Sequence, residues 1–347
     1  MKKTRILARV LVLSLMLVML AGCGGTQTPG GTSSVPGENS EPVGGNDGKF
    51  PNGTITIVVP WSAGGRGDTF ARACANYMTQ YLDVPVIVSN QPGGVGVTGS
   101  YAVAESAPDG YTLGSFATTH MFASYLKNPP FQPDSFIPVG GYAEIYEALV
   151  VKSDKDWNNL SDFIADAKSN PGKYLHGNTG VGQDDHIYAA ALYAEQGLDI
   201  VQMPYDGDAG LTSALLSGEV DIAMIALPSV ASYVESGEMK ILAISSTERL
   251  EDLPDVPTFV EQGIDFTETA WTGLFAPAGT PDDVIAVLEE ALDAVRNNPE
   301  YQATMKNMYV NVNYMDSKGL QSEIDRVLPA IQGWLDTLNA LGVDLGI

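Results

Sequence analysis

The middle of the chain alternates short apolar runs rich in β-branched residues with longer stretches whose apolar residues recur every three or four positions. The short runs are typical of buried strands, and the longer period is typical of amphipathic helices. Predicted strands cover residues 54–59, 84–89, 111–115, 147–151, 199–205, 220–226 and 239–245. Predicted helices between them cover residues 69–81, 161–167, 187–195 and 209–217. This alternation predicts the α/β class, with largely parallel sheets covered by helices.

The C-terminal part of the chain is predicted to be more helical. Thr280 is placed to cap a helix with Pro281 at its first position, and acidic residues follow in the first turn. Apolar residues with helical spacing then form two stripes, at 284–295 and 320–338. Both stripes are predicted to face the core.

The length of 347 residues exceeds what a single hydrophobic core commonly serves, so two domains are expected. The strand at 147–151 and the segment 266–277 have the pattern of extended connections that flank a self-contained block. We therefore predict that residues 50–148 plus 270–347 form domain 1 and that residues 149–269 form domain 2. The chain would then cross between the two domains twice.

Residues 1–22 have the pattern of a signal peptide, with a basic start and an apolar run too short to span a bilayer. The Leu-Ala-Gly sequence before Cys23 resembles a bacterial lipobox, in which the cysteine is diacylated after cleavage. Residues 23–49 are rich in Gly, Ser, Thr and Pro, which predicts a lipidated cysteine followed by a flexible tether. The sequence thus predicts an extracytoplasmic protein anchored to a membrane through Cys23, in the periplasm or at the cell surface.

The chain is strongly acidic. The formal net charge is −24, and four of the 18 basic residues lie in the predicted signal peptide. Such a charge disfavours nucleic acid as a partner. The second cysteine, Cys74, lies in a helical stretch and is expected to be a small buried residue, so no intramolecular disulfide is expected.

The stretch VVPWSAGGRGDTFAR, residues 58–72, leaves a predicted strand through a glycine-containing loop and enters a predicted helix. Gly64 and Gly65 permit positive φ angles, and Asp68 or Thr69 is placed to cap the helix. Free backbone N–H groups at the positive end of a helix dipole suit a small anion. The alternative is that the glycines only form a tight turn and that Asp68 only caps the helix.

A second loop of the same kind, HGNTGVGQDDHIYAAAL, occupies residues 176–192 of the other predicted domain. Two such loops at strand ends, one in each domain, are able to face each other across a cleft. Micromolar binding requires about 8 kcal/mol, whereas one charged hydrogen bond contributes about 1.5 to 3 kcal/mol. Donors from both loops are therefore expected to be needed.

Other patterns match known sites only in part. Residues 94–99 fit the GxGxxG dinucleotide fingerprint, but no acidic residue follows at the required distance, and residues 206–210 begin like a calcium loop but lack its later ligands. The three histidines lack zinc spacing, and no Gly-x-Ser-x-Gly elbow is present. The sequence predicts no cofactor, no metal site and no enzyme activity, although a pairing of Cys74 with His120 or His186 in space stays open.

These motifs, in this order, resemble the Bug or TctC family, the extracytoplasmic solute receptors of tripartite tricarboxylate transporters. Besides the two loops, the resemblance depends on residues 90–113, 203–224, 242–263 and 271–281. It implies the two-lobed periplasmic-binding-protein (type II) fold, with a carboxylate-bearing solute held in the cleft between the loops. It also implies an integral membrane permease as the partner.

The predicted ligand-binding residues come from both lobes. Those of domain 1 are Trp61, Ser62, Ala63, Gly64, Gly65, Arg66, Asp68, Thr118, Thr119 and His120. Those of domain 2 are Thr179, Gly182, Gln183, Asp184 and His186. Two assignments stay open, because Trp61 is equally suited to packing in the core or hinge and His186 to holding its own helix.

The chain departs from the common pattern of that family at positions that affect the ligand. Arg66 and Gly67 stand where small neutral residues are usual, Gln183 stands where Ser or Thr is frequent, and Asp206 stands where lysine is frequent. With the acids at 184–185, these changes favour a zwitterion or an amide over citrate. The same two acids are equally explained as first-turn residues that the helix dipole favours.

The sequence as a whole predicts a monomeric, non-enzymatic receptor that captures a small organic carboxylate or amino acid and delivers it to a permease. Two alternatives stay open. One is a sensory receptor that signals to a membrane kinase, and the other is a secreted hydrolase on a similar scaffold.

Overall fold

The computed structural model describes residues 49–94, 96–118, 120 and 129–340. Its strands are β1 (Ile55–Val59), β2 (Val86–Asn90), β3 (Thr112–Ala117), β4 (Phe136–Lys152), β5 (Leu175–Asn178), β6 (Val201–Pro204), β7 (Ile222–Ala226), β8 (Met239–Ile244) and β9 (Thr269–Pro277). Its α-helices are α1 (Arg66–Leu82), α2 (Val97–Ala104), α3 (Leu160–Ser169), α4 (Asp184–Gln196), α5 (Gly207–Ser217), α6 (Leu227–Glu235), α7 (Asp282–Arg296), α8 (Pro299–Lys306) and α9 (Ser317–Ala340). The predicted signal peptide, Cys23, most of the tether and Thr119 lie outside the described residues.

The strands form two lobes. In the first lobe β1 pairs in parallel with β2 and β3, and β9 runs antiparallel between β3 and β4. In the second lobe β5 pairs in parallel with β6 and β7, and the end of β4 runs antiparallel between β7 and β8. Helices cover both sheets, which confirms the predicted α/β class. The prediction of largely parallel sheets was wrong, because β4 and β9 bring in four antiparallel pairs beside the four parallel ones among the described strands.

Strand β4 belongs to both lobes. Its residues 136–146 pair with β9, and its residues 147–151 pair with β7. Register shifts at Pro138/Gly140 and at Gly141/Ala143 interrupt the ladder with β9. The prediction of a strand at 147–151 therefore captured only the end of a 17-residue strand.

Strand β9 corrects a second prediction. The segment 266–277 was expected to be an extended connection, but residues 269–277 form a buried strand between β3 and β4. The division of the chain into domains at 148/149 and 269/270 stays a prediction.

Three apolar clusters form the core. One lies between the first sheet and helices α1, α7 and α8, and includes Ile57, Phe70 and Leu288. A second lies around α5, α6 and β7. The third joins elements of both lobes, because α9 packs against β4 and also against α4.

Two predicted helix starts are corrected by the structure. Helix α7 begins at Asp282 with Pro281 as its N-cap, and the Thr280 hydroxyl donates to the Pro277 carbonyl instead of capping the helix. Helix α1 begins at Arg66, so neither Asp68 nor Thr69 is its N-cap. Among the residues that the structure describes, no helix is both long and apolar enough to cross a bilayer.

Candidate functional site

The first loop is braced from below by Asp68. Its Oδ2 accepts the Gly64 N–H at 2.8 Å and the Arg72 Nε–H at 3.0 Å, and its Oδ1 accepts Asn90 Nδ2 at 2.9 Å. Arg72 Nη2 also lies 2.9 Å from Oδ1 as an ion pair. Burial alone would raise the pKa of this carboxyl, but the hydrogen bonds from Arg72, Gly64 and Asn90 lower it below its usual value. Asp68 is 3% exposed, so its carboxylate holds the loop shape rather than forming the loop surface.

The loop surface above Asp68 is rich in donors. Ser62, Ala63, Gly64 and Gly65 are exposed, and Gly64 has a φ angle of +83° that favours glycine. The amides in the first turn of α1 precede the first intrahelical acceptor, so they have no partner in the helix itself. With the Arg66 guanidinium, this end of α1 offers the positive charge and N–H groups that suit an anion.

The second loop uses the same kind of brace. Asp185 Oδ2 accepts the Thr179 N–H at 2.6 Å, and its Oδ1 accepts the Thr179 hydroxyl at 2.7 Å. Further amides donate within the loop, from Gly180 to Asn178 Oδ1 and from Gln183 to the Gly180 carbonyl. Most N–H groups of this loop are thus engaged internally. In the first loop the Gly64 and Gly65 N–H groups are also engaged, by Asp68 and by the Ser62 carbonyl, so its free donors are those of the first turn of α1.

His186 also holds the second loop. The Gly182 N–H donates to His186 Nδ1 at 3.1 Å, which places the imidazole proton on Nε2. Burial lowers the pKa of His186 to about 4, so the ring is neutral at physiological pH. The side chain of Gln183, at the N-cap of α4, makes no capping hydrogen bond.

Two residues at the end of β3 are tied to their surroundings. The Thr118 hydroxyl accepts the Trp271 N–H at 3.0 Å and is fully buried. The Ala117 N–H donates to His120 Nδ1 at 2.9 Å, and burial lowers the pKa of His120 to about 4. The Trp61 ring meets the His120 ring edge-on, with 5.5 Å between centroids. Trp61 and His120 thus form an aromatic wall beside the first loop.

A charged contact joins the two lobes. Arg66 Nη1, on α1, lies 3.7 Å from Asp208 Oδ2, on α5. The same Asp208 oxygen accepts the Ser229 hydroxyl at 2.9 Å. Since α1 packs on the first sheet and α5 on the second, the two ends that approach each other define the cleft.

Glu147 is a site residue that sequence reasoning missed. It is the first residue of β4 that pairs with β7, so it lies where the strand crosses between lobes. The residue is 2% exposed, and its Oε2 has no hydrogen-bond partner. An acidic residue at the start of an otherwise apolar strand, EALVV, was the available signal.

The electrostatics place Glu147 among the charges of the cleft. Burial raises the pKa of its carboxyl well above the usual value, Asp184 raises it further, and the Arg66 guanidinium lowers it. Smaller upward contributions come from Asp185 and Asp208. We call these five residues, Arg66, Glu147, Asp184, Asp185 and Asp208, the cleft cluster.

The acids at the start of α4 are buried as well. Burial raises the pKa of Asp184, and Arg66 opposes that rise. Burial, followed by the charge of Asp184, raises the pKa of Asp185 to about 8. Ordinary first-turn acids gain from the helix dipole in solvent, whereas these two are held at 4% and 2% exposure facing other carboxylates.

A separate groove lies away from these loops, with a cavity volume of about 660 Å³. None of the predicted ligand-binding residues lines it. Its lining includes Glu144, Tyr146, Arg249, Asp252, Lys306 and Tyr309. The cleft cluster, rather than this groove, combines buried charge with the two glycine-containing loops.

The structure also bears on metal binding and on thiol chemistry. In the part of the chain that the structure describes, no group of three or more His, Cys, Asp or Glu side chains is placed to hold a metal ion. Cys74 is fully buried in the core of the first lobe, and burial raises the pKa of its thiol. A thiol in that setting is a packing residue and not a ready nucleophile.

Comparison with known proteins identifies the family. A family model described as the tripartite tricarboxylate transporter family receptor matches residues 70–332. The chain belongs to this receptor family. A UPF0065 protein of Bordetella pertussis is 35% identical to it over 290 residues, which cover 82% of this chain and 90% of that protein.

Solved structures of similar proteins share the fold. The periplasmic binding protein BugD is 30% identical with a TM-score of 0.72, over 85% of this chain and 99% of BugD. MatC from Rhodopseudomonas palustris, solved with bound malate, is 27% identical with a TM-score of 0.72, over 83% of this chain and 100% of MatC. The resemblance to the Bug/TctC receptors and the two-lobed periplasmic-binding-protein fold are therefore confirmed.

Proposed function

We propose that this receptor is a monomeric, extracytoplasmic solute-binding lipoprotein without enzyme activity. It captures a small organic carboxylate or amino acid in the cleft between its lobes and delivers it to an integral membrane permease of the tripartite type. The contact of Arg66 with Asp208 is the observation that carries this proposal, because it brings the first loop against the second lobe over buried charges. The malate bound to MatC, a member of the same fold, agrees with a carboxylate ligand.

Binding would proceed by closure of the lobes over the solute. The solute carboxylate accepts hydrogen bonds from the first-turn amides of α1 and from Arg66, and Trp61 and His120 form the adjacent wall. A charged hydrogen bond contributes about 1.5 to 3 kcal/mol, so three or four of them supply the roughly 8 kcal/mol of micromolar affinity. The second lobe then covers the solute and excludes water.

A thermal-shift screen of organic acids and amino acids tests ligand capture. A ligand at 100 times its dissociation constant stabilises the fold by about 2.7 kcal/mol, which raises the melting temperature measurably. Arg66→Ala should weaken binding of the best carboxylate at least tenfold by calorimetry. Arg249→Ala is the matched control, because Arg249 is an exposed arginine that lines the separate groove.

The two variants separate the cleft from the groove. A loss of binding with Arg249→Ala and none with Arg66→Ala would move the ligand to the groove and contradict the proposed site. A screen in which no organic acid or amino acid stabilises the protein would contradict the proposed function itself.

Anchoring and delivery have their own test. In cells that express the full-length chain, Cys23→Ser should move the receptor from the membrane fraction to the soluble extracytoplasmic fraction. Uptake of the radiolabelled ligand should require both the receptor and the permease. Wild-type receptor in the soluble fraction, or uptake that continues without the receptor, would contradict this part of the proposal.

A further inference from the structure

The Glu147 carboxylate is a buried charge site with an unused acceptor. It is 2% exposed, and Oε2 has no hydrogen-bond partner, although its backbone N–H donates to the Ser245 hydroxyl at 2.9 Å. A buried carboxylate oxygen without a donor is costly, because its desolvation is not compensated. In a binding cleft, such an oxygen indicates that the ligand supplies the hydrogen-bond donor.

The remaining members of the cleft cluster do not supply that donor. Asp184 and Asp185 raise the pKa of Glu147, so they act on it as like charges. Arg66 is the single cation of the cluster, and its guanidinium lies 3.7 Å from Asp208 instead. Four carboxyl groups thus share one guanidinium. In the empty cleft the raised pKa values mean that bound protons balance these carboxyl groups, and a further cation is able to replace those protons.

The two lobes present opposite chemistry to the cleft. The first lobe offers Arg66 and the free amides at the start of α1. The second loop uses its own amides internally, through Asp185, Asn178 and His186, and so presents carboxylates rather than donors. A solute that spans the cleft therefore meets positive charge on one side and negative charge on the other.

We propose that the solute carries a protonated amino group in addition to its carboxylate, and that Glu147 receives this ammonium group. This inference rests on the proposed function and narrows its ligand to the amino acid class. The carboxylate lies at the start of α1 with Arg66, and the ammonium donates to Glu147 Oε2 with Asp184 and Asp208 beside it. An ammonium group offers three N–H donors, which suits a site where several carboxylates meet from different elements.

The test uses pairs of acids that share a carbon skeleton and differ in one amino group. Succinate with aspartate, glutarate with glutamate, adipate with 2-aminoadipate, and butyrate with 4-aminobutyrate are suitable, with putrescine as an amine without a carboxylate. Calorimetry on the wild-type protein should show at least one amino member binding at least tenfold more tightly than its partner. That ratio corresponds to the loss of one charge-assisted hydrogen bond.

Glu147→Gln is the decisive variant, since it keeps the side-chain shape and removes the charge. It should weaken the amino ligand at least tenfold while the melting temperature of the empty protein stays the same or rises. Glu144→Gln is the matched control. Glu144 lies three residues earlier on the same strand, lines the separate groove and accepts a hydrogen bond from Thr269. This control should bind the amino ligand like the wild type.

Each outcome has a distinct meaning. Acids without an amino group that bind as tightly as their partners, and that bind more tightly to Glu147→Gln, would overturn this inference and leave the proposed function standing. Putrescine binding as tightly as the amino acids would overturn the carboxylate part of the proposed function and leave Glu147 as a cation site. Binding of Ca²⁺ or Mg²⁺ that Glu147→Gln abolishes, without any effect of the amino acids, would overturn both.

Discussion

At the scale of single residues, Asp68 and Asp185 perform the same task in opposite electrostatic settings. Each lies in the first turn of a helix and accepts a backbone N–H from the loop before it. Asp68 also accepts a hydrogen bond from the Arg72 guanidinium, and its pKa is lowered. Asp185 has Asp184 as its neighbour, and its pKa is raised to about 8. The first loop is therefore stabilised by the charge of Asp68, whereas Asp185 of the second loop keeps its proton up to about pH 8 in the empty protein.

Asp68→Asn should destabilise the protein and weaken ligand binding. The amide cannot accept from Gly64, Asn90 and Arg72 as the carboxylate does, and the loss of such buried charged hydrogen bonds costs about 3 kcal/mol. Asp83→Asn is the control, since Asp83 is exposed at the other end of α1 and adopts a left-handed conformation that asparagine tolerates. Chemical denaturation of both variants measures the difference. Equal stability of the two variants would show that Asp68 does not brace the loop.

The stability of the empty protein should fall as pH rises from about 6.5 to about 8. Below this window the lowered pKa values of the buried histidines, His120, His176 and His186, act in the opposite direction, because the unfolded chain binds protons that the buried rings do not. The unfolded chain releases the proton of Asp185 near pH 4, whereas the folded protein keeps it until about pH 8. Between these values Asp185 keeps a proton in the folded state that the unfolded chain has lost, so its contribution lowers the free energy of unfolding by up to about 1.4 kcal/mol per pH unit. Asp68 contributes the opposite sign, because its lowered pKa stabilises the fold until the pH falls below its ordinary range.

Melting temperatures at pH 6.5, 7 and 8 test this slope. Asp185→Asn and Glu147→Gln should each flatten it, because each removes one carboxyl with a raised pKa from the cleft. Asp83→Asn should leave it unchanged. A wild-type slope of the opposite sign would mean that Asp185 and Glu147 ionise in the empty cleft without difficulty.

At the scale of elements, the backbone shape of the glycine turn before α1 should affect ligand binding. Gly64 has a φ angle of +83°, and no atom lies within 4 Å of a Cβ built on it. Gly64→Ala therefore costs only the backbone strain, about 1 kcal/mol. Gly237, in the exposed turn before β8, has a φ angle of +76° and equally open surroundings.

Gly64→Ala and Gly237→Ala should thus lower the melting temperature by similar amounts. Only Gly64→Ala should also weaken ligand binding, because it moves the amides that face the cleft. Thermal melts and calorimetry on both variants make the comparison. A binding loss of the same size in Gly237→Ala would show that general destabilisation, not loop shape, lowers affinity.

The elements show how far sequence patterns reach. Each of the seven predicted strands overlaps an observed one, because short β-branched runs between turn residues seldom form anything other than strands. Strand β9 and residues 136–146 of β4 were missed. Gly140 and Gly141 interrupt the apolar pattern there, and the register shifts of β4 remove the regular alternation on which strand prediction depends.

The site was predictable only where it is local in sequence. Each of the two loops was predictable from its glycines between a strand and a helix. Glu147 was not predictable in this way, because its role depends on the crossing of β4 between the sheets and on acidic residues 37 to 61 positions away along the chain. The use of the second loop's amides within the loop was equally hidden, since it depends on the rotamers of Asp185 and His186.

At the scale of the whole molecule, three connections join the lobes described here. Strand β4 runs through both sheets, the chain returns through the segment before β9, and α9 lies along both lobes. Leu320 of α9 packs close to Gly273 of β9, and Trp334 of α9 meets Tyr188 of α4 with 5.3 Å between centroids. Pro329 lies between these two contacts, where it removes a hydrogen bond within the helix. We therefore expect the lobes to close about β4 and α9.

The bridge between Arg66 and Asp208 is too weak to close the cleft alone. The two side chains are 31% and 24% exposed and 3.7 Å apart, and ion pairs of this kind contribute at most about 1 kcal/mol. Against it stands the cost of desolvating the carboxyl groups of the cleft cluster, since burial raises the pKa of Glu147, Asp184 and Asp185 when no solute is present. Closure in solution should therefore be driven by the solute.

Single-molecule energy transfer between the lobes tests this conclusion. Gln80 on α1 and Ser213 on α5 are exposed and suit labelling after replacement by cysteine, while Cys74 is fully buried. Without ligand, Asp208→Asn should change the closed fraction by no more than about fivefold, the equivalent of 1 kcal/mol. Saturating ligand should close the wild type and Asp208→Asn alike, because the free energy of its contacts is several times that of the ion pair. A wild-type protein that stays closed without ligand, and opens only when Asp208 is replaced, would show that the bridge and not the solute holds the lobes together.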